Sequence, residues 1–425
     1  MSSGRRNWRK GTQASRLKNI RLYALLVIAF MNPHMSSISL GQTVSDRAAR
    51  LHREAIVVDL HIDTPQRMLD FGVDLARRDT KGHVDLPRMR EGGLDAAFFA
   101  IYVDMDRYPG DAATRRALRL IDSVYAQVER DPDQFMLAVS AADIRTAHRQ
   151  GKVAVLMGME GGTPIADDLG LLRDFYRLGV RYMTLTHGLG NNWVDSSTDP
   201  PRHNGLTEFG KDVVREMNRL GMLVDISHVS DKAFYDALEV SRAPLIASHS
   251  SARVLTNVPR NMTDDMIRAL AAKGGVVHVN YYAEFLDQNY ANARARLLAD
   301  PEMQARSRAL REQFRDDDRT QPGFEAQMQL FQEYAARLPQ VSWERIVDHI
   351  DHMVKLVGAG HVGLGSDFDG ANMPEGMDDV SYVPRITEAL LDRGYSEADI
   401  RKILGENTLR VMEEAERVAQ DLRAL

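Results

Sequence analysis

Residues 222–251 read MLVDISHVSDKAFYDALEVSRAPLIASHSS. Two short apolar runs, Met222–Ile226 and Pro244–Ala247, each lead into a polar cluster with one histidine, His228 and His249. A strand covered on both faces appears as a continuous apolar, β-branched run rather than as an alternation, and such runs mark parallel sheets. The same unit recurs along the chain. Ile56–Leu60, Ala97–Val103, Val153–Met157, Arg181–Thr186, Val276–Val279 and Val362–Gly365 complete a set of eight. Segments with helical spacing separate most of them, among them Leu169–Leu178, Glu208–Leu220 and Thr263–Lys273. Eight such units predict an α/β fold closed as a (β/α)8 TIM-type barrel. The alternative is an open doubly wound sheet, but no Gly-rich dinucleotide turn follows the first strand.

The chain has 425 residues, a length that suggests two or three domains unless a barrel accounts for it as one. Residues 42–425 are expected to form a single domain. There is no cysteine, so neither a disulfide scaffold nor thiolate metal ligation is available. Seven Lys/Arg fall in the first 21 residues, before any acidic side chain. An apolar run of ten residues follows, Leu22–Met31, and then Ser39-Leu40-Gly41. That order is the pattern of a signal peptide, residues 1–41, with an apolar core too short to span a bilayer. Removing it leaves 47 basic against 60 acidic residues, a net charge of −13. So acidic a body excludes a nucleic-acid partner, which requires a basic face. Val418–Leu425 offers no hydrophobic tail for a glycolipid anchor, so no stable membrane anchor is expected after processing. The expected location is the periplasm or the exterior. Residues 284–340 break the barrel rhythm with a polar, helix-prone stretch of mixed charge. They predict a helical insertion between the seventh and eighth strands, serving as a lid or a subunit contact.

The strand ends carry the chemistry. His61 and Asp63 follow the first strand, Glu160 the third, His187 the fourth, His228 the fifth, His249 the sixth and Asp367 the eighth. In a (β/α)8 barrel these positions share one rim, where the fold builds its active sites. Any one of them has an ordinary reading, as a hydrogen-bonded histidine, a helix-capping aspartate or a turn. Six strand ends delivering His, Asp or Glu to one mouth predict a metal site. His61 and Asp63, two apart, are expected to hold one ion, His228 and His249 a second, with Glu160 bridging. Imidazole and carboxylate suit Zn²⁺ and permit Mn²⁺ or Fe²⁺. Two such ions can share an acidified water and polarise a carbonyl, which is hydrolytic chemistry. His83, His148 and His203 are expected in solvent, His349 and His352 on a helix surface, and His278 is left open.

The ordered motifs HxD, EGG, LTH with NNWxD, DISH, SHSS with a downstream RN pair, and GSDFDG resemble the membrane (renal) dipeptidase family of binuclear zinc peptidases. The resemblance runs from about Ile56 to the segment GENTLRVMEEAE. It implies a (β/α)8 fold, two Zn²⁺ per chain, a dipeptide substrate and a homodimer. It further implies that His61, Asp63 and Glu160 bind one zinc, and Glu160, His228 and His249 the other. His187 looks like the residue that steadies the oxyanion, and Arg260 like the clamp on the substrate carboxylate. Asp367 looks like the proton shuttle, in preference to its neighbour Asp369. Tyr281 and Tyr282 receive no role. The expected activity is hydrolysis of free dipeptides through a metal-bridging hydroxide. The rivals are another amide or lactone hydrolase on the same metals, and a non-catalytic metal- or peptide-binding barrel.

Overall fold

The computed structural model describes residues 44–105, 107–313, 326, 329–330 and 332–424. The proposed signal peptide, residues 1–41, lies outside them. Nine parallel strands form the sheet: β1 (Val58–Ile62), β2 (Ala96–Tyr102), β3 (Phe135–Leu137), β4 (Val153–Glu160), β5 (Val180–Thr184), β6 (Leu223–Asp225), β7 (Ile246–Ala247), β8 (Val276–Val279) and β9 (Val362–Leu364). Pairing runs β2-β1-β9-β8-β7-β6-β5-β4-β3, and a further β2–β4 ladder joins the two ends. Eight strands therefore close into a barrel, and the open sheet is ruled out. The ninth, β3, was not foreseen. It has three residues and pairs only with β4, outside the ring.

Alternate strand residues sort into two apolar layers, as the two-residue period of a strand requires. Val58, Leu60, Phe98, Leu156, Tyr182 and Ile246 pack together in one cluster with Leu409 and Met412 of the C-terminal helix, Asn407–Ala424. Phe99, Val155, Met157, Met183 and Val277 belong to the other, shared with the surrounding helices. Each such fully buried side chain contributes about 1.5–3 kcal/mol of transfer free energy. The helices begin where local signals place them. Thr207 caps Glu208–Leu220 by accepting from Gly210 N, and Thr263 caps Asp264–Ala272 by accepting from Met266 N.

One local irregularity matters for the site. Asp59 of β1 opposes Ala97, yet Ile62 opposes Phe99, so β1 carries one extra residue between them. A bulge of this kind re-aims a side chain. Here it turns His61 to the same side as Leu60, where its ring meets Tyr182 of the inner cluster.

Beyond β8 the insertion opens with helices Ala283–Leu286, Gln288–Leu298 and Pro301–Gln313. Leu297, Met303, Leu330 and Tyr334 give it a small apolar cluster of its own. No helix among the described residues is long and apolar enough to cross a membrane.

Candidate metal centre

Glu160 ends β4, and the ladders that flank it place Tyr102 on one side and Thr184 on the other. Its carboxylate is buried at the centre of the rim. Glu160 Oε2 lies 3.5 Å from His61 Nε2, which is itself 3.5 Å from Asp63 Oδ2. Glu160 Oε1 lies 3.0 Å from His228 Nε2, 3.4 Å from His249 Nε2 and 3.5 Å from His187 Nε2. One oxygen thus faces the β1 pair, and the other faces the histidines that follow β5, β6 and β7. The donor atoms form three groups compact enough for an ion: His61, Glu160 and His249; Glu160, His187 and His228; and His61, Asp63 and Asp367.

The electrostatics of the cluster call for added positive charge. Burial raises the Asp63 carboxyl well above its usual range, and the Glu160 charge adds to that. Burial alone would depress the His61 imidazole, but the Glu160 and Asp63 carboxylates beside it outweigh it and lift His61 well above the ordinary histidine range. Burial lowers His249 to about 4, with His61 adding to the effect, and lowers His228 well below normal, so both rings keep a lone pair for a cation at neutral pH. His61 Nε2 and Asp63 Oδ1 are buried with no hydrogen-bond partner. Asp63 also occupies the N-cap position of helix Thr64–Phe71 without capping it, leaving its oxygens uncommitted to the helix. Orphaned donors of this type, aimed at one another across a buried gap, fit divalent cations.

Outer groups hold the ligands in place. Tyr182 Oη lies 2.7 Å from His61 Nδ1. Ser248 Oγ lies 2.7 Å from His249 Nδ1 and donates to Asp225 Oδ2 at 2.6 Å. Such partners set the tautomer that leaves Nε2 free for a metal. Asp59 does the corresponding work for the backbone, accepting from His61 N at 3.0 Å and Ser366 N at 2.9 Å. His228, Asp367 and Asp369 adopt left-handed backbone, with φ of 69°, 67° and 64°. Each costs about 1–3 kcal/mol, and strain of this size concentrates at functional sites.

Two glycines explain parts of the motifs. A Cβ on Gly162, the second glycine of EGG, would run into the Trp193 ring of NNWxD. A Cβ on Gly370, which closes GSDFDG, would overlap Asp63 Oδ2 and come within 2.6 Å of Asp367 Oδ1. Gly370→Ala is therefore expected to displace both carboxylates by a few tenths of an ångström or more. Turnover should fall about 10²-fold, with reduced metal content, since misplacement on the order of 1 Å has that effect. A kinetic assay alongside metal analysis checks it.

Asp367 N donates to His61 O at 3.0 Å, and Asp367 Oδ2 accepts from Asn280 Nδ2 at 2.9 Å. Asp369 faces away and is fully used: it accepts from Thr64 Oγ1, Arg67 Nη1 and His83 N. The His187 ring packs between Tyr102 and His228, with centroids 4.6 and 4.3 Å away. Arg260 is buried, donates to His249 O at 3.1 Å and Ser250 Oγ at 3.4 Å, and leaves Nε unpartnered. Burial lowers its guanidinium to about 10, still charged at neutral pH. His187, Arg260 and Asp367, with Asp63, Glu160, His228 and His249, line one cavity of about 830 Å³. The insertion walls it on one side, through residues from Glu284 to Gln304.

A sequence profile of the family described as membrane dipeptidase, peptidase family M19, matches residues 45–425. The chain belongs to the membrane dipeptidase family. It is thereby a hydrolase of the metallo-dipeptidase type. Dipeptidase tcpJ of Claviceps purpurea is 36% identical over 370 residues, covering 84% of this chain and 75% of that protein. The crystal structure of the probable dipeptidase PvdM from Pseudomonas aeruginosa superposes with a TM-score of 0.75 at 30% identity, over 88% of this chain and 98% of that one. A metallopeptidase from Rhodobacter sphaeroides, liganded with a phosphinate mimic of the dipeptide L-Ala-D-Ala, gives a TM-score of 0.67 at 29% identity, over 85% and 99%.

Several histidines of this dipeptidase differ from expectation. His83 is buried, not solvated, because its Nδ1 accepts from Asp369 N. His349 is also buried: its Nδ1 accepts from Ala252 N and its Nε2 lies 3.2 Å from Leu286 O, tying the loop after His249 to the insertion. His148 and His203 are half-buried on Asp95 and on Asn191 O. His352 is half-buried against Asp264, and His278 lies buried between Ala247 O and Thr408. None of them joins the metal-binding groups found among the described residues. Sequence reasoning missed Tyr182, Asp59, Asp225 and Asn280. Asp59 and Asp225 had a signal, a carboxylate inside an apolar strand, which must be hydrogen-bonded to be buried.

Proposed function

We propose that this dipeptidase holds two zinc ions that share Glu160, and that it hydrolyses free dipeptides in an exported compartment. The observation that carries the reading is the division of Glu160: Oε2 faces His61, which in turn faces Asp63, while Oε1 faces His228 and His249. Bound there, two zinc ions would supply an acidified water shared between them and polarise the scissile carbonyl. The protein's own groups do the rest. Arg260 holds the substrate carboxylate with the forked geometry that a guanidinium provides. His187 steadies the carbonyl oxygen as it gains charge. Asp367, held on Oδ2 by Asn280, takes the proton of the attacking water and returns it to the leaving amine.

Arg260 also separates this reading from its closest rival, a hydrolase of neutral lactones on the same metals. Arg260→Ala is expected to lower kcat/KM for a dipeptide by about 10²-fold, mainly through KM, while any lactone turnover stays within a few-fold. Equal losses on both substrates would remove the clamp from the reading. Residues 1–41 support export to the periplasm, and the family resemblance supports a homodimer.

A further inference from the structure

The Gln288–Leu298 helix is two-sided. Tyr290, Ala291, Arg294 and Leu297 are buried, with Ala291 and Arg294 also reaching the cavity, whereas Asn292, Ala295 and Ala299 are exposed and line it together with Gln288 and Leu298. Although the insertion is rich in charge, this face is short and, Arg294 apart, uncharged. The charges in the cavity wall are already committed. Glu284 and Arg294 pair at 2.8 Å, and Asp199 pairs with Arg202 at 3.4 Å. Asp63, Glu160 and Asp367 belong to the metal centre, and Arg260 to the substrate carboxylate.

We infer that this helix face forms the subsite for the side chain of the substrate's C-terminal residue, and that it selects a bulky uncharged one. The inference rests on the dipeptidase reading. The placement follows from Arg260. Its guanidinium lies 5.2 Å from the ring centroid of Phe285, in the helix just before Gln288, and Asn257 N in its loop donates to Gln288 Oε1 at 2.6 Å. A carboxylate on Arg260 therefore sets the residue that bears it beside this helix. The size follows from the volume. About 830 Å³ falls in the range of about 300–1,000 Å³ that accommodates drug-sized ligands, far more than two small residues fill. The lack of charge follows from the wall: Glu284 and Arg294, the charges nearest this face, already pair with each other, so a charged side chain gains no ion pair there.

The test is steady-state cleavage of Ala-Gly, Ala-Leu, Ala-Asp and Ala-Lys by the zinc-loaded wild type and Ala295→Trp. Ala295 is exposed on a helix, so the larger ring leaves the fold intact and fills the subsite. Wild type should cleave Ala-Leu with kcat/KM at least about tenfold above the other three. Ala295→Trp should lose about tenfold on Ala-Leu, mainly through KM, and clearly less on Ala-Gly, whose second residue has no side chain to displace. The inference is overturned if wild type favours Ala-Asp or Ala-Lys, if it cleaves all four equally, or if the variant changes Ala-Gly and Ala-Leu alike or neither. Failure of wild type to cleave any of the four overturns the dipeptidase reading itself, a result distinct from equal cleavage of all.

Discussion

Glu160→Gln is expected to lower turnover by about four orders of magnitude or more, and to remove at least one metal equivalent per chain, with the barrel intact. The amide matches the carboxylate in shape, so the β4 ladder and its neighbours need not move. Chemically it cannot serve both sides. One end of the amide carries two N–H donors and no lone pair for a metal. That end must face either His61, or His228, His249 and His187. Whichever side it takes, a buried donor set loses its shared anion. The size of the effect reflects how much of an enzyme's total acceleration, about 10⁶–10¹⁷-fold, depends on a correctly assembled centre. Metal analysis, circular dichroism and a dipeptide assay on one preparation check it. Full metal content with full turnover would refute the bridging role.

Asp367→Asn should give a different signature: both metals retained, and turnover reduced by about 10²–10⁴-fold, the usual cost of losing a general acid/base. The structure makes the experiment decisive, because Asp367 also lies close enough to His61 and Asp63 to serve as a ligand. If it is a ligand, the Asn variant loses metal along with activity. If it moves protons, only activity falls. Asn280 gives the variant an amide partner at the same place, so the left-handed turn that presents residue 367 should persist. Unchanged turnover would take Asp367 out of the reaction.

Much of this was visible along the chain. A parallel strand betrays itself by a short apolar, β-branched run, and Val276–Val279, three valines around His278, is legible to the residue on that basis. Helix Glu208–Leu220 was legible in the same way, from its apolar spacing. The ligand candidates stood out because the rim of a parallel barrel lies at the ends of its strands, so the order of the elements already gathers those residues. Strand β3 was illegible, since three residues carry no measurable period. Tyr182 passed for a core residue, because its hydroxyl acquires meaning only beside His61, 121 positions away. His349 sits in a segment whose spacing suits a helix surface, and it is buried only because Ala252 and Leu286 pack against it.

What the sequence determined, then, is the parallel α/β class, the eight principal strands and the His, Asp and Glu that follow them. These depend on side-chain type and on periods of two and 3.6 residues, which act over neighbouring positions. Tertiary structure decided closure of the ring through the β2–β4 ladder and the bulge that turns His61 inward. It also divided the two oxygens of Glu160 between donor sets, gave Asp367 to the centre and Asp369 to Arg67 and Thr64, and set the insertion along the cavity wall. Each of these choices rests on contacts between residues tens to hundreds of positions apart. No local pattern encodes such contacts, because their energies exist only once the chain has brought those residues together.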